Sequence, residues 1–563
     1  MNLQFPGARP ALAAGALLLT LSAPPARAAA PASTSGLADY ADKALAAIYP
    51  AGQPGAAAIV VKDGKVLLRK GYGMANLELG VPSSPEMVFE LGSVTKQFTA
   101  AAILLLQERG KLSVTDDIGK YLPDFPAHGQ TITIEHLLTH TSGIPSYTGL
   151  PEWYAKVRED LKPAEVIALF KDKPLEFNPG ERWAYDNSGF FLLGAIIEKV
   201  SGQSYEQFVE QEIFQKLGMT HSRYGHPDEL IPRRASGYSK DDKGFHNADY
   251  ISMSSPYAAG ALVSTVDDLA IWDRALSGET LLRKASLDRM FTTAKLKSGL
   301  PVQYGYGMGV FDFAGRRVQM HGGDIPGFTT VVTRVPEERL FIAILSNNDA
   351  SDPRPDDVAL RIMAKALGQP LEEIKTIPLD PRTLADYPGV YRFDEKTTRA
   401  ITQEGGKLFA QRSGGEKYEI AATAPDEFIY ADRMNRLRFQ RDAQGKVTGV
   451  DFQPFSGIRQ TGMRTSDPLP QERQAVKVDP SIYDAYAGEY ELTPTFSITI
   501  NREGDRLFAQ ATGQPRFEIF PASETRFFLK VVDAEVEFVR GADGQVTGLV
   551  LHQGGRDMPG KRK

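Results

Sequence analysis

Apolar and polar positions alternate with two different periods along this chain, and the changes between them divide it. Ala56–Lys62 and Lys65–Gly73 are β-type runs around Asp63-Gly64, a dipeptide suited to a tight hairpin turn. The nearly unbroken apolar stretch Phe98–Leu106, closed by Gly110, predicts a buried helix with a glycine stop. From about 110 to 290 the pattern is mostly helical and broken by Pro and Gly, as in Glu165–Lys171 and Phe190–Val200. Between Gly305 and Asn347 the period switches to two. Arg317–His321, Thr329–Val335 and Leu340–Ser346 read as antiparallel strands, the last two joined through Pro336-Glu337-Glu338. Strands at both ends with helices between them imply one α+β domain whose sheet is closed by distant segments.

The C-terminal third repeats itself. Tyr387-Pro-Gly-Val-Tyr391 returns as Tyr486-Ala-Gly-Glu-Tyr490, Leu408-Phe-Ala-Gln411 as Leu507-Phe-Ala-Gln510, and Val447-Thr-Gly449 as Val546-Thr-Gly548. Each pair is 99 residues apart, so the two copies keep one register. Short aromatic and β-branched runs alternate with Gly and Asp turns, which predicts two small antiparallel barrels or sandwiches. The expected layout is residues 29–372 for the α+β domain, 380–465 for the first β domain and 479–560 for the second, with linkers near Gln369–Pro381 and Thr465–Pro480.

Composition narrows the function classes. Net charge is −6, so no basic field favours nucleic acid or an anionic membrane. The apolar run Ala11–Leu21, followed by Pro24-Pro25 and Ala26-Arg27-Ala28, predicts an export leader spanning residues 1–28, cleaved after Ala28, and hence a periplasmic or secreted protein. That run is too short to span a bilayer, which takes about 20 apolar residues. The chain has no cysteine, so no disulfide or thiolate metal site is expected.

Three clusters carry chemistry. Ser93-Val94-Thr95-Lys96 precedes the apolar helix, and residues three apart on a helix share a face, so the Lys96 amine can reach the Ser93 hydroxyl. As a mere N-cap, Ser93 would favour Glu or Gln three residues on rather than lysine. Tyr185-Asp186-Asn187 pairs a phenol able to carry protons with an amide able to meet either Lys96 or a substrate carbonyl. His321-Gly322-Gly323-Asp324 closes a strand, where paired glycines admit a substrate backbone and a following N–H can complete an oxyanion hole. His136 and His140 have zinc-ligand spacing, but Leu137 stands where His-Glu-x-x-His requires glutamate. No metal or other cofactor is expected.

Taken together, these motifs, with His136–Pro145 and Gly260–Leu269, resemble the penicillin-binding-protein and class C β-lactamase superfamily over about residues 40 to 365. The resemblance implies a β-lactamase/transpeptidase-like fold, with Ser93 as acyl-accepting nucleophile, Lys96 as its base and Tyr185 as proton shuttle. It implies Asn187 as the substrate-side amide and the N–H of Asp324 as second oxyanion donor. Many members have Lys-Thr-Gly where this chain has His321-Gly322-Gly323, which disfavours substrates with a free carboxylate, β-lactams included. The His-Gly pattern and appended barrels are similar to D-aminopeptidases of the superfamily, so peptides or amides with D-residues are the leading expectation. An esterase, a β-lactamase or D-Ala-D-Ala carboxypeptidase, and a sensor that stays acylated are the alternatives. Oligomeric state is left open.

Overall fold

The computed structural model describes residues 34–563 except 127–128, 242, 372–373, 395–396, 414–416, 432–434, 455–458, 470–474, 494–495, 513–515, 531, 533, 542 and 554–555. The expected export leader lies outside the described residues.

The first domain is built on a six-stranded antiparallel sheet. Its strands are β1 (Ala56–Lys62), β2 (Lys65–Tyr72), β3 (Gly309–Phe313), β4 (Arg316–Ile325), β5 (Phe328–Val335) and β6 (Leu340–Ser346), in the spatial order β3-β4-β5-β6-β1-β2. The β1–β2 turn is made by Asp63 and Gly64, both at positive φ (55° and 74°), as a two-residue hairpin of the primed type requires. Strand β1 then pairs with β6, Ala56 opposite Ser346, so the sheet joins the two ends of the domain.

The central strands are apolar on both faces because both are covered. Ala57 and Ile59 of β1, with Phe341, Ala343 and Leu345 of β6, face the larger core under the helical region. Ala56, Ala58 and Val60, with Leu340, Ile342 and Ile344, face the opposite layer. That layer holds two helices the sequence pattern did not separate, α1 (Thr34–Ile48) and α4 (Pro355–Ala366). They contribute Leu37, Ala41 and Leu45, and Val358, Ile362 and Met363. Between β2 and β3 lie α2 (Lys96–Glu108) and α3 (Asn187–Ser201). Every residue of α2 from Lys96 to Leu106 is buried, as expected of a helix apolar on all sides. Each such leucine, isoleucine or phenylalanine stabilises the domain by roughly 1.5–3 kcal/mol relative to exposure. Gly202, left-handed at φ 75°, ends α3.

The repeat forms two closed antiparallel barrels of eight strands each among the described residues. In the first, Tyr391 pairs with Arg464; in the second, Tyr490 pairs with Arg562. Both tyrosines are buried and donate a hydroxyl hydrogen bond to the backbone four residues earlier, Tyr391 to Tyr387 O at 2.6 Å and Tyr490 to Tyr486 O at 2.8 Å. Ile377 N–H donates to Ala422 O, and Val476 N–H to Pro521 O, so part of each expected linker is tied to its barrel.

Candidate active site

The short strand Phe89–Glu90 delivers the chain to a 3-10 turn, Gly92–Thr95, from which α2 departs. Gly92 is left-handed (φ 52°) and lies against Asp324; a Cβ there would come within 2.9 Å of Asp324 N. Ser93 therefore sits half-buried in the turn ahead of α2, and it is not the cap of that helix, whose N-cap is Thr95. One turn on, Lys96 is fully buried, with Nζ 3.0 Å from Ser93 Oγ.

Two further acceptors hold the amine, Asn187 Oδ1 at 2.8 Å and the Ala259 carbonyl at 2.9 Å. Burial pulls the Lys96 pKa down to about 7, against the opposing charge of Asp186. Asn187 opens α3 and is fixed at both ends of its amide: Oδ1 accepts from Lys96 while Nδ2 donates to Thr148 Oγ1 at 3.0 Å. Lys96, one of the two partners expected for this amide, is in contact with it. Asp186 caps α3 by accepting from Gly189 N–H.

Tyr185 completes this wall. The protein packed around its hydroxyl raises its pKa well above the ordinary phenol range, with the neighbouring Ser93 opposing. The residue is still 39% exposed, so it lines the open side of the cleft. Its ring lies 4.9 Å from Lys96 Nζ and 4.4 Å, centroid to centroid, from the ring of His140. His140 is fully buried at positive φ (56°), and its Nδ1 accepts from Asp186 N–H at 3.2 Å. Burial lowers its pKa, against the Asp186 carboxylate, whose Oδ2 lies 3.4 Å from the same Nδ1. His136 instead closes the capping box of the Ile134–Leu138 helix, its Nδ1 accepting from Thr133 N–H.

The opposite wall is β4. The sequence pattern ends this strand at His321, whereas it continues to Ile325. Strand β3 pairs with β4 only as far as Met320, so among the described residues no strand pairs with that edge of His321–Ile325. Leu91 and Gly92 approach this segment instead. A Cβ on Gly323 would fall 2.0 Å from Leu91 O, and Thr330 Oγ1 donates to the same carbonyl at 2.8 Å. This close approach is what Gly323 and Gly92 permit. Gly322 is not confined in this way. The Asp324 side chain is turned to Arg354, whose Nη2 donates to it at 2.7 Å.

His321 is buried and holds both ring nitrogens in hydrogen bonds. Nδ1 lies 2.6 Å from the Gly322 carbonyl, which only accepts, so Nδ1 carries the hydrogen. Nε2 is then an acceptor and takes the hydroxyl hydrogen of Tyr304 at 2.8 Å. Burial, reinforced by repulsion from Lys96, pushes the His321 pKa down to about 3. Sequence reasoning missed Tyr304, His140 as a ring partner of Tyr185, Thr148 and the Ala259 carbonyl. A carbonyl has no sequence signal, and Tyr304 lies in an irregular stretch before β3.

The expected residues thus come together around one cleft: Ser93, Lys96, Tyr185 and Asn187 from the turn and α3 side, His321 to Asp324 from β4. The family model described as "Beta-lactamase" matches residues 42–367, more than half of the chain. The chain belongs to the beta-lactamase family. It is a serine hydrolase of the penicillin-binding and β-lactamase fold. A second family model, a domain of unknown function (DUF3471), matches residues 472–562, the second barrel. Penicillin-binding protein 4* of Bacillus subtilis (strain 168) is 26% identical over 520 residues, which are 89% of this chain and 93% of that protein. The octameric penicillin-binding protein homologue of Pyrococcus abyssi has 28% identity and a TM-score of 0.53, with 76% of this chain and all of that one covered. A D-stereospecific amidohydrolase of Streptomyces sp. has 27% identity and a TM-score of 0.50, covering 58% of this chain and 98% of its own. Among the described residues, no helix is long and apolar enough to cross a membrane.

Proposed function

We propose that this serine hydrolase works through an acyl-enzyme on Ser93 and cleaves amides or peptides that carry D-residues. The observation that carries the reading is the Lys96 amine, 3.0 Å from Ser93 Oγ with a pKa drawn down to about 7. A neutral amine has two hydrogens and one lone pair. Its hydrogens go to Asn187 Oδ1 and the Ala259 carbonyl, which leaves the lone pair for the Ser93 hydroxyl. Lys96 thereby takes the Ser93 proton as Oγ attacks the substrate carbonyl.

The N–H groups of Ser93 and Asp324, brought side by side through Gly92, receive the oxygen on which charge develops. Tyr185, kept protonated by its raised pKa, gives its proton to the departing amine and is reprotonated by the Lys96 ammonium; the freed Lys96 amine then takes a proton from the water that attacks the acyl carbonyl, and that proton goes to Ser93 Oγ as the acid leaves. The open edge of His321–Ile325 suits an extended substrate backbone. A neutral His321 with both nitrogens engaged offers no cation to a substrate carboxylate, which disfavours β-lactams and free C-termini. Likeness to a D-stereospecific amidohydrolase supports D-residues as the substrate class. The reading includes export, on the strength of the leader in residues 1–28.

Initial rates on D-alanine p-nitroanilide and p-nitrophenyl butyrate, with Ser93→Ala as control, test the proposal. Ser93-dependent anilide cleavage is expected. Ester cleavage alone would make the protein an esterase with the same acyl-enzyme chemistry.

A further inference from the structure

The two barrels differ at one interior position in a way that points to a ligand. In the first barrel Arg399 pairs directly with Tyr391; in the second, Ile498 occupies the same register opposite Tyr490. Directly opposed residues of an antiparallel pair project to the same face, and both tyrosines belong to the barrel cores. Arg399 therefore points inward, where it is 9% exposed, and the equivalent Ile498 is 3% exposed.

The surroundings change with it. Around Ile498 the second barrel gathers Leu492, Leu529, Ala511 and Leu551, an apolar plug. At the matching positions the first barrel has Phe393, Tyr430, Arg412 and Phe452. The Arg399 guanidinium lies 3.6 Å from the Phe452 ring centroid and 5.5 Å from that of Phe393. One of its terminal nitrogens donates to Tyr430 Oη at 3.2 Å, while Nε is buried without a partner. Among the described residues no carboxylate pairs with it, and the neighbouring strand brings a second cation, Arg412, directly opposite. Burial and Arg412 together lower the Arg399 pKa.

Burying an unpaired charge costs more than stacking on aromatic rings returns. The second barrel shows that this fold closes with isoleucine in the same place. A cation kept there at a net cost, beside a second cation and between aromatic rings, is matched to a negative partner. We infer that the first barrel binds a small organic anion, its carboxylate received by the fork of Arg399 and its apolar body by Phe393 and Phe452. This goes beyond the hydrolytic reading and is independent of it.

Isothermal titration of the full chain with benzoate, and separately with inorganic phosphate, tests the inference. Wild type is expected to bind one benzoate. Arg399→Ile, which installs the residue of the second barrel, should abolish that binding while circular dichroism and thermal melting remain those of a folded protein. Arg399→Lys keeps the charge but loses the fork and should weaken binding by about tenfold; it also serves if the isoleucine variant does not fold. Equal benzoate binding by wild type and either variant would overturn the site. So would an absence of benzoate binding to wild type, and phosphate binding in its place would overturn the assignment of an organic carboxylate.

Discussion

The Tyr304 hydroxyl donates to His321 Nε2 at 2.8 Å, and this bond fixes the electrical character of the β4 wall of the site. With Nδ1 spent on Gly322 O, the imidazole is neutral across the whole physiological range, its pKa being about 3. Substituting His321→Lys restores a side chain able to hold a cation there. Acylation by penicillin, followed by intact mass, should accelerate at least about tenfold, since an added charge-assisted hydrogen bond contributes about 1.5–3 kcal/mol. If wild type acylates as fast as the variant, the carboxylate argument is wrong.

Activity should rise with pH through the titration of Lys96. Below a pH of about 7 the ammonium is protonated and has no lone pair for Ser93; above it the neutral amine accepts the proton. The acid limb of kcat/KM is expected to show an apparent pKa of about 7. Lys96→Arg, which cannot deprotonate in this range, should remove that limb along with most of the activity.

Tyr185→Phe keeps the ring packed against His140 but removes the hydroxyl beside Ser93. We expect kcat to fall by about 10²–10⁴-fold, the usual range for loss of a positioned proton donor, with an unchanged melting temperature. A fall in stability matching the fall in rate would make Tyr185 a packing residue only.

Gly323→Ala sets a methyl group 2.0 Å from the Leu91 carbonyl, and the backbone must separate there. Because that contact holds Asp324 N–H beside the Ser93 turn, the predicted effect is on the oxyanion. Loss of one such donor costs about 2.7–4 kcal/mol in the transition state, so kcat should drop by roughly 10²–10³-fold. Gly322→Ala, where only the Thr330 carbonyl lies nearby, at 3.6 Å, should be far milder.

The two tyrosine clasps of the barrels can be weighed against each other. Tyr391→Phe and Tyr490→Phe each delete one buried hydroxyl-to-carbonyl bond and should each cost about 1 kcal/mol. Differential scanning calorimetry should show the loss while Ser93-dependent hydrolysis stays at the wild-type rate.

What the sequence disclosed follows from how local the cause is. The β1–β2 hairpin was legible because Asp63-Gly64 is its own signal, and α2 because an apolar run of that length closes at a glycine. Ser93 and Lys96 were legible because three residues of helix bring them together without help from elsewhere. Strand β4 was read short, since Gly322, Gly323 and Asp324 have low strand propensity and are held extended by β5. Helix α1 was hidden in an alanine-rich segment whose apolar stripe, Leu37, Ala41 and Leu45, acquires meaning only against the sheet and α4, the latter more than 300 residues away. The Tyr304–His321 bond depends on an irregular loop, and no periodicity could announce it. The 99-residue repeat announced two β domains, and the two small antiparallel barrels expected there are the ones that close among the described residues.

The pairing of β1 with β6 also has a kinetic side. Gly55 N–H reaches Asn347 Oδ1 across 292 residues, and Ser346 Oγ reaches back to Gly55 O. During synthesis the β1–β2 hairpin emerges early but has no second neighbour until Leu340–Ser346 has left the ribosome. Contacts of such sequence separation form slowly, because a very long loop must be drawn in first. The middle of the sheet therefore closes late, and until then β1 remains an exposed, largely apolar edge.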